Sequence, residues 1–464
     1  AHPLLPATPA NQARFQLNPI SEAERLKRIQ AGVDRIAQFQ KSNGAFGLWD
    51  KHSPEDQWLT VYATDFLLDA QALGLDVPAS LLDQALTRLG YYLSSSGAFV
   101  GQRWSDDASH YAFASRAYAG YVLSRVKKAP LGALRTLYQR DFAHAKSGLS
   151  QVHLGLALLA MGDQKSGAEA LAKAVQNIPA KDFYLGDYGS RIRDLGQMVA
   201  LLLRHGQMQD QALDLSLKLR DALRGRQWFS TQERTALFFS GIALEQGLSQ
   251  EWRAQWQLGS NPPQAAVEKS TWRKALDAAD LSAGFTLTSD HPQALYADVL
   301  LNGYGEKPPQ PQELGLSVAR NWYSTSGKPV TPSKVKVGEL LLVHLSLSAK
   351  QQVPDALLIN LLPAGFELEN QNLEHAIKLD RFLIDGKPLS QLQSQTQMKH
   401  QEYRDDRYVA AVEVSPWNSA HVFFLVRAVS PGVYQVPPPL AEDMYRPEIR
   451  GIGQTLPQVD VVEP

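Results

Sequence analysis

The chain has 464 residues, with 46 Lys plus Arg set against 47 Asp plus Glu, so its formal net charge is −1. With no basic run beyond Lys127-Lys128 and no arginine-rich helix, the sequence excludes an electrostatic nucleic-acid footprint. It holds no cysteine, which excludes disulfides, thiol nucleophiles, zinc–thiolate and iron–sulfur sites, and it shows neither a signal-type apolar segment nor a run of about 18 apolar residues.

Residues 1–20 are Pro-rich (Pro3, Pro6, Pro9, Pro19) and read as a connecting segment. The chain opens Ala1-His2-Pro3 without Met, as a mature or fragmented product would. From Ser21 to Gly247 apolar residues recur every three or four positions. That period predicts ten amphipathic helices: Ser21–Gln40, Glu55–Leu73, Ser80–Leu93, Ser109–Val126, Gly132–His144, Leu149–Met161, Gly167–Asn177, Ser190–His205, Asp210–Leu223 and Thr231–Gln246. Each is expected to bury one stripe, such as Ile29, Val33 and Ile36 in the first, and to wet the opposite face. Such helices draw their stability from packing that stripe, so ten in succession with short connections predict consecutive hairpins.

A faint repeat runs through them. Gly44-Ala45-Phe46 is followed by Trp49, and Gly97-Ala98-Phe99 by Trp104, about 53 residues on, a spacing that suits two helices plus turns. Two readings stay open here: ordinary turn chemistry, or a closed ring of hairpins, an α/α toroid.

Past Gly247 the texture changes. Trp252–Leu258 and Glu268–Leu276 are ambiguous, and Phe285–Thr288 and Leu295–Leu301 look strand-like. Gly305–Pro311 is a Pro-rich linker and marks a boundary. Beyond it, alternation predicts strands at Leu316–Tyr323, Leu340–Leu347, Asp355–Leu362, His400–Arg404, Tyr408–Val414, Ala420–Val429 and Gly432–Val436, hence an antiparallel sandwich with one wet face per strand. The fold class is multidomain α + β: an α/α toroid of helical hairpins followed by β-sandwich domains.

Few residues suggest chemistry. Asp50, Glu55, Asp56, Asp106 and Asp107 lie near turns, where a carboxylate pair could serve glycoside hydrolysis, but Glu55-Asp56 and Asp106-Asp107 read first as helix caps. The histidines are scattered without metal-ligand spacing, so no metal site is expected. Ser94-Ser95-Ser96-Gly97 is a loop without the context of a nucleophile elbow, and Gly451-Ile452-Gly453 lacks the strand–turn–helix context of a phosphate loop. From the residues alone there is no active site.

Three stretches carry a resemblance. Gln40-Lys-Ser-Asn-Gly44-Ala-Phe46-Gly-Leu-Trp49 with Trp58-Leu-Thr-Val-Tyr62-Ala63 is similar to the segment after the thioester in the thioester domain of bacterial alpha-2-macroglobulins. Trp228-Phe-Ser-Thr-Gln232-Glu233 resembles the start of the last helix of that domain. Leu361-Leu-Pro-Ala-Gly365-Phe366-Glu367, Tyr403-Arg-Asp-Asp-Arg407 and Ala441-Glu-Asp-Met444-Tyr445-Arg-Pro-Glu-Ile-Arg-Gly451 resemble their C-terminal macroglobulin-type domain.

The resemblance implies an arrangement: residues 1–248 as the helical toroid without its N-terminal thioester segment, 249–306 as the returning part of a small CUB-like β domain, and 312–464 as the terminal sandwich. It also implies a broad-spectrum endopeptidase inhibitor, not an enzyme, that traps an attacking protease after bait cleavage, with no cofactor. The family's Cys-x-Glu-Gln thioester motif is absent and is expected just upstream of residue 1. Ala243-Leu244-Glu245-Gln246, at the end of the helical array, is read as coincidence. Trp58, Tyr62, Met444 and Tyr445 are the expected apolar shield of that thioester. The implied partners are host or competitor endopeptidases and penicillin-binding protein 1C. The implied setting is a periplasmic monomer tethered to the inner membrane by an N-terminal lipid anchor. Two other readings are a thioester-less cell-envelope interaction module and a toroidal polysaccharide-processing enzyme using two of Asp50, Asp56, Asp106 and Asp107.

Overall fold

The computed structural model describes residues 5–8, 11–12, 18–95, 108–178, 187–247, 251–268, 272–289, 295, 309–369, 371 and 377–463. The second Gly-Ala-Phe motif, Asp106, Asp107 and most of the expected strand 295–301 lie outside those residues.

Short polar side chains set where the helices begin. Ser21, Asp56, Ser147, Asp163 and Ser190 each accept a backbone N–H from the first turn of the helix that follows. Among the described residues from 18 to 247, ten helices result: α1 (Glu22–Phe39), α2 (Gln57–Ala72), α3 (Ala79–Ser94), α4 (Ala108–Arg125), α5 (Leu131–Asp141), α6 (Gly148–Ala160), α7 (Gln164–Ala174), α8 (Arg191–Arg204), α9 (Gln209–Leu223) and α10 (Thr231–Gly247). They occupy the ten predicted positions. The expectation of one wet face fails for alternate members. In α1 burial follows the stripe Arg25, Ile29 and Val33, and in α9 Ala212, Leu215 and Leu219. In α4 every residue from Phe113 to Ser124 is buried, and in α6 every residue from Gly148 to Leu158.

The two kinds of helix form two layers. The even-numbered helices make an inner ring, in which α2 packs on α4, α4 on α6 and α6 on α8. Gly196 of α8 admits α10, since a Cβ there would lie 3.1 Å from the Ala236 backbone. A hydrogen bond between Tyr62 and Thr235 joins α10 to α2 and closes the ring. The odd-numbered helices lie outside with their polar faces to solvent. Among the described residues no helix is long and apolar enough to cross a membrane.

A three-stranded antiparallel sheet follows, with β1 (Trp252–Leu258) between β2 (Gln264–Glu268) and β3 (Phe285–Ser289). Its short helix α11 (Ala278–Ala283) is held by a reciprocal Asp277–Asp280 cap. The ambiguous stretch 252–258 is therefore strand. By Cα proximity, residues 1–225 and 233–302 form one compact unit and residues 226–232 and 303–464 a second.

The second unit is β. Its strands are β4 (Gln312–Leu314), β5 (Leu316–Ser324), β6 (Pro329–Val330), β7 (Lys334–Lys336), β8 (Leu340–Ala349), β9 (Val353–Leu361), β10 (Phe366–Glu369), β11 (Leu383–Ile384), β12 (Lys387–Pro388), β13 (Gln397–Arg404), β14 (Arg407–Val414), β15 (Ala420–Ala428), β16 (Gly432–Val436), β17 (Leu440–Asp443), β18 (Arg450–Ile452) and β19 (Leu456–Val462). One sheet runs β10-β15-β8-β5-β6 and the other β13-β14-β9-β17-β18-β4. A smaller sheet runs β16-β19-β7. The core between the sheets takes Val343, Leu345 and Leu347 from β8 with Leu358, Tyr408 and Val412 from the other side.

The opposite face of β8 and β15 is not wet as expected. Leu342, Phe423 and Leu425 are covered by Phe382, Ile384 and Leu389, from the hairpin β11–β12 and the short helix α12 (Leu389–Leu392). The sheet edge at β13 carries Lys399, His400, Glu402 and Arg404 and a bulge between Met398 and His400.

Gly365 explains the Leu-Pro-Ala-Gly-Phe motif. A Cβ there would lie 2.2 Å from the Tyr434 ring, so only glycine lets that ring lie against the backbone.

Candidate functional site

The Gln40–Trp49 motif is a brace for the α1–α2 turn. Gln40 Nε2 donates to the Leu81 carbonyl at 2.9 Å. Gly44 has φ +85°, and a Cβ there would lie 2.3 Å from the Gln84 carbonyl oxygen. The Phe46 N–H donates to Thr60 Oγ1 at 3.0 Å. These contacts fix the start of α2, where Asp56 accepts from the Leu59 N–H at 2.8 Å and also from the Tyr188 hydroxyl. The Asp56 carboxylate is thus committed to the cap. Glu55 pairs with Arg88 at 2.8 Å, and Asp50 is an exposed turn residue holding His52 and Ser53. These three carboxylates are placed by local structure and give the polysaccharide-enzyme reading no support.

So positioned, α2 turns Trp58 and Tyr62 to the ring axis. The two rings stack at 5.4 Å, and both line a cavity of about 870 Å³ walled by α1, α2, α8 and α10. Tyr118 lies 5.5 Å from Trp58 and stacks on His153 at 4.3 Å. Ala243 and Gln246 of α10 also face this space. Burial raises the Tyr62 hydroxyl above its ordinary value, and it drives the His153 imidazole down to about 3, with the Arg193 charge adding to the effect.

Beneath the aromatic layer lies a charge cluster that the sequence did not reveal. The Arg193 guanidinium sits 5.2 Å from the Trp58 ring and reaches Asp187 at 3.0 Å and Asp194 at 2.5 Å. The Lys146 N–H donates to His110 Nδ1 at 2.9 Å, which leaves the His110 proton on Nε2, 3.5 Å from Asp187 Oδ2. Burial opposes the Asp187 charge, but Arg193 and His110 outweigh it and hold the carboxyl well below its usual range. For Asp194 burial wins over Arg193 and the carboxyl is raised. Asp187, Arg193 and Asp194 come from one short stretch around the start of α8, and packing of α4 brings His110 to them from 77 residues upstream, a juxtaposition that no spacing rule shows. Ser190 Oγ also donates to the buried Glu233 at 2.6 Å, which accounts for the acidic residue in the Trp228–Glu233 motif.

Met444 and Tyr445 belong to the second unit. They follow β17 in a turn held by Asp443, whose Oδ1 accepts the N–H of Tyr445 at 2.9 Å and of Arg446 at 3.1 Å. Arg446 closes the turn with a 2.6 Å pair to Asp443. The Met444 N–H donates to the Asp355 carbonyl at 3.0 Å. Tyr445 is buried and Met444 is half-buried. The structure therefore brings Trp58 to Tyr62, and Met444 to Tyr445, each pair within its own unit.

Comparison with known proteins follows the same division. The family model for the A-macroglobulin TED domain matches residues 11–109, and that for the bacterial alpha-2-macroglobulin MG10 domain matches residues 315–448. An alpha-2-macroglobulin of Xylella fastidiosa is 40% identical over 454 residues, covering 96% of this chain and 27% of that protein. The chain therefore spans about a quarter of that relative's length. The crystal structure of native Escherichia coli alpha-2-macroglobulin, from domain MG7 to the C-terminus, matches with a TM-score of 0.87 and 34% identity over 98% of this chain and 71% of that one. Salmonella alpha-2-macroglobulin reacted with methylamine matches with a TM-score of 0.86 and 34% identity over 99% of this chain and 29% of that one.

Proposed function

Because this chain belongs to the bacterial alpha-2-macroglobulin family, we propose that it serves a protease-trapping inhibitor as the thioester-bearing helical ring and terminal sandwich of a longer parent. The observation that carries the reading is the union, in one chain, of a TED-type ring with an MG10-type sandwich. In the proposed cycle an endopeptidase cleaves a bait segment elsewhere in the parent, and a thioester just upstream of residue 1 then acylates a nucleophile on the protease. The acyl group leaves the cysteine sulfur for the protease amine or hydroxyl, and the thiol is released.

A thioester survives in water only if water is kept from it until the moment of use. The stacked Trp58 and Tyr62 supply an apolar wall for that purpose. Met444 and Tyr445 are proposed as the other half of the shield. Met444 offers a polarizable, adaptable side chain on a turn that Asp443 and Arg446 hold, and the buried Tyr445 beside it adds an amphipathic ring. By family resemblance we place the parent in the periplasm as a monomer with an N-terminal lipid anchor in the inner membrane and penicillin-binding protein 1C as a neighbour.

The test is the intact mass of the full-length parent with methylamine, before and after protease treatment. One amine adduct with one released thiol is expected. No adduct and no thiol in either state would leave the chain as an interaction module. Replacing Met444 and Tyr445 together by Ala should shorten the lifetime of the thioester toward methylamine, and an unchanged lifetime would remove them from the shield.

A further inference from the structure

On the covered face of the five-stranded sheet, two histidines 77 residues apart in sequence come together. His344 lies on β8 and His421 on β15, with Phe423 paired to His344 and His421 to Ser346, so the two are diagonal neighbours on one face. His344 Nε2 and His421 Nδ1 are 3.0 Å apart, and the rings lie 5.2 Å centroid to centroid. We propose that this pair chelates a divalent transition-metal ion of tetragonal preference, Cu²⁺ first and Ni²⁺ after it.

The separation is that of a ring-to-ring hydrogen bond, and it also brings both nitrogens within reach of one shared ion. Two imidazole nitrogens 3.0 Å apart, each about 2.0–2.1 Å from a shared ion, subtend an angle of about 90–97°. That is the cis angle of a square-planar or tetragonal centre, which Cu²⁺ and Ni²⁺ favour. A tetrahedral ion such as Zn²⁺ needs the nitrogens about 3.3 Å apart at the same bond lengths. Among divalent ions of the first row, Cu²⁺ also binds nitrogen sites most tightly.

The pair is also held in readiness. The His344 ring stacks on Phe423 at 4.4 Å and 10°. Thr396 Oγ1 accepts the His421 backbone N–H at 2.8 Å and donates to the His421 backbone carbonyl at 3.0 Å, which fixes the main chain that carries the second ring. Tyr323 of β5 stands 6.5 Å from the His344 ring, and the hairpin β11–β12 contributes Asp385, whose charge acts on Tyr323. In the metal-free pair one ring donates its N–H to the other. Binding moves that hydrogen to the far nitrogen of its own ring, frees both facing lone pairs and releases no net proton. Both residues are partly buried and neither is sealed from solvent, so water can complete the coordination.

The probe is Cu²⁺ itself, titrated calorimetrically at neutral pH into the chain and into His344→Gln, His421→Gln and the double variant, with Ni²⁺ and Zn²⁺ alongside. Comparing variants cancels the other histidines, His2 included. The chain should bind one more Cu²⁺ than the double variant, with a paramagnetic resonance spectrum of two nitrogen ligands. Each single variant should bind at this site at least tenfold more weakly, and Zn²⁺ at least tenfold more weakly than Cu²⁺. Equal stoichiometry and affinity in the chain and the double variant would overturn the site, and Zn²⁺ matching Cu²⁺ would overturn the geometric argument. If a variant fails to fold, substoichiometric Cu²⁺ must broaden the His344 and His421 ring resonances of the chain before those of other histidines. Broadening elsewhere first would sink the proposal.

Discussion

Inside the helical ring, Asp187, Arg193, Asp194, His110 and His153 are all buried, and ion pairs link the first three and bring His110 to Asp187. The sandwich core is built differently. Its centre is Val, Leu, Phe and Ala, and its buried polar groups, Asp355, Asn360, Glu413 and Asp443, belong to particular local ties such as the Asp443–Arg446 turn and the Arg320–Asn360 bond. The sandwich gains stability chiefly from apolar area, which is forgiving of local imperfection. The ring holds charges that are tolerable only when every partner is present, so its interior specifies one arrangement and fails as a set.

The largest effect that would break this contrast is at Arg193. Arg193→Ala leaves Asp187 and Asp194 without their cation and should cost about 3–5 kcal/mol. Urea unfolding followed by hydrogen exchange should show the loss in residues of the ring and none in the sandwich. A loss below about 1 kcal/mol would mean that the cluster is not coupled. In the sandwich, Leu345→Ala removes a fully buried side chain and should cost about 2–5 kcal/mol, by the same amount at pH 7 and pH 5. A strongly pH-dependent cost there would show that the two interiors are not as different as their side chains suggest.

The smallest of the three effects sharpens the contrast through pH. His153 has a folded value of about 3 against about 6.5 when unfolded. Between those values only the unfolded chain takes up the proton, so ring stability falls as pH falls, by about 1.4 kcal/mol per unit. His153→Phe keeps the stack on Tyr118 and removes that liability. At pH 4.5 it should therefore be about 2–3 kcal/mol less penalised than the parent relative to pH 7. Parallel pH curves for the two proteins would assign the acid sensitivity to other groups.

How much of this was legible follows from the same difference. The outer helices announce themselves by stripes such as Arg25, Ile29 and Val33. The inner helices α4 and α6 bury polar residues such as His110, Arg116, Gln151 and His153 along with their apolar ones, so their sequence gives helix but not burial. Trp58 and Tyr62 were found through a motif whose physical content is the brace of Gln40, Gly44 and Thr60. The Asp187–Arg193–His110 cluster and the His344–His421 pair were not, because they are assembled by packing and carry no spacing. Strands β17 and β18 were missed for brevity, with four and three residues, and the seven-residue β19 because Pro457 interrupts its alternation. The cover on Leu342 and Phe423 was missed because it comes from a segment with little regular structure of its own.

The exposed edge at β13 has a consequence for how many copies of this molecule can share a small volume. A bare strand edge is a template on which another chain can continue the sheet, and repetition of that step makes fibrils. Here the bulge between Met398 and His400 breaks the hydrogen-bonding rhythm, and Lys399, Glu402 and Arg404 would have to be stripped of water by any incoming strand. That edge is therefore a poor template for an incoming strand.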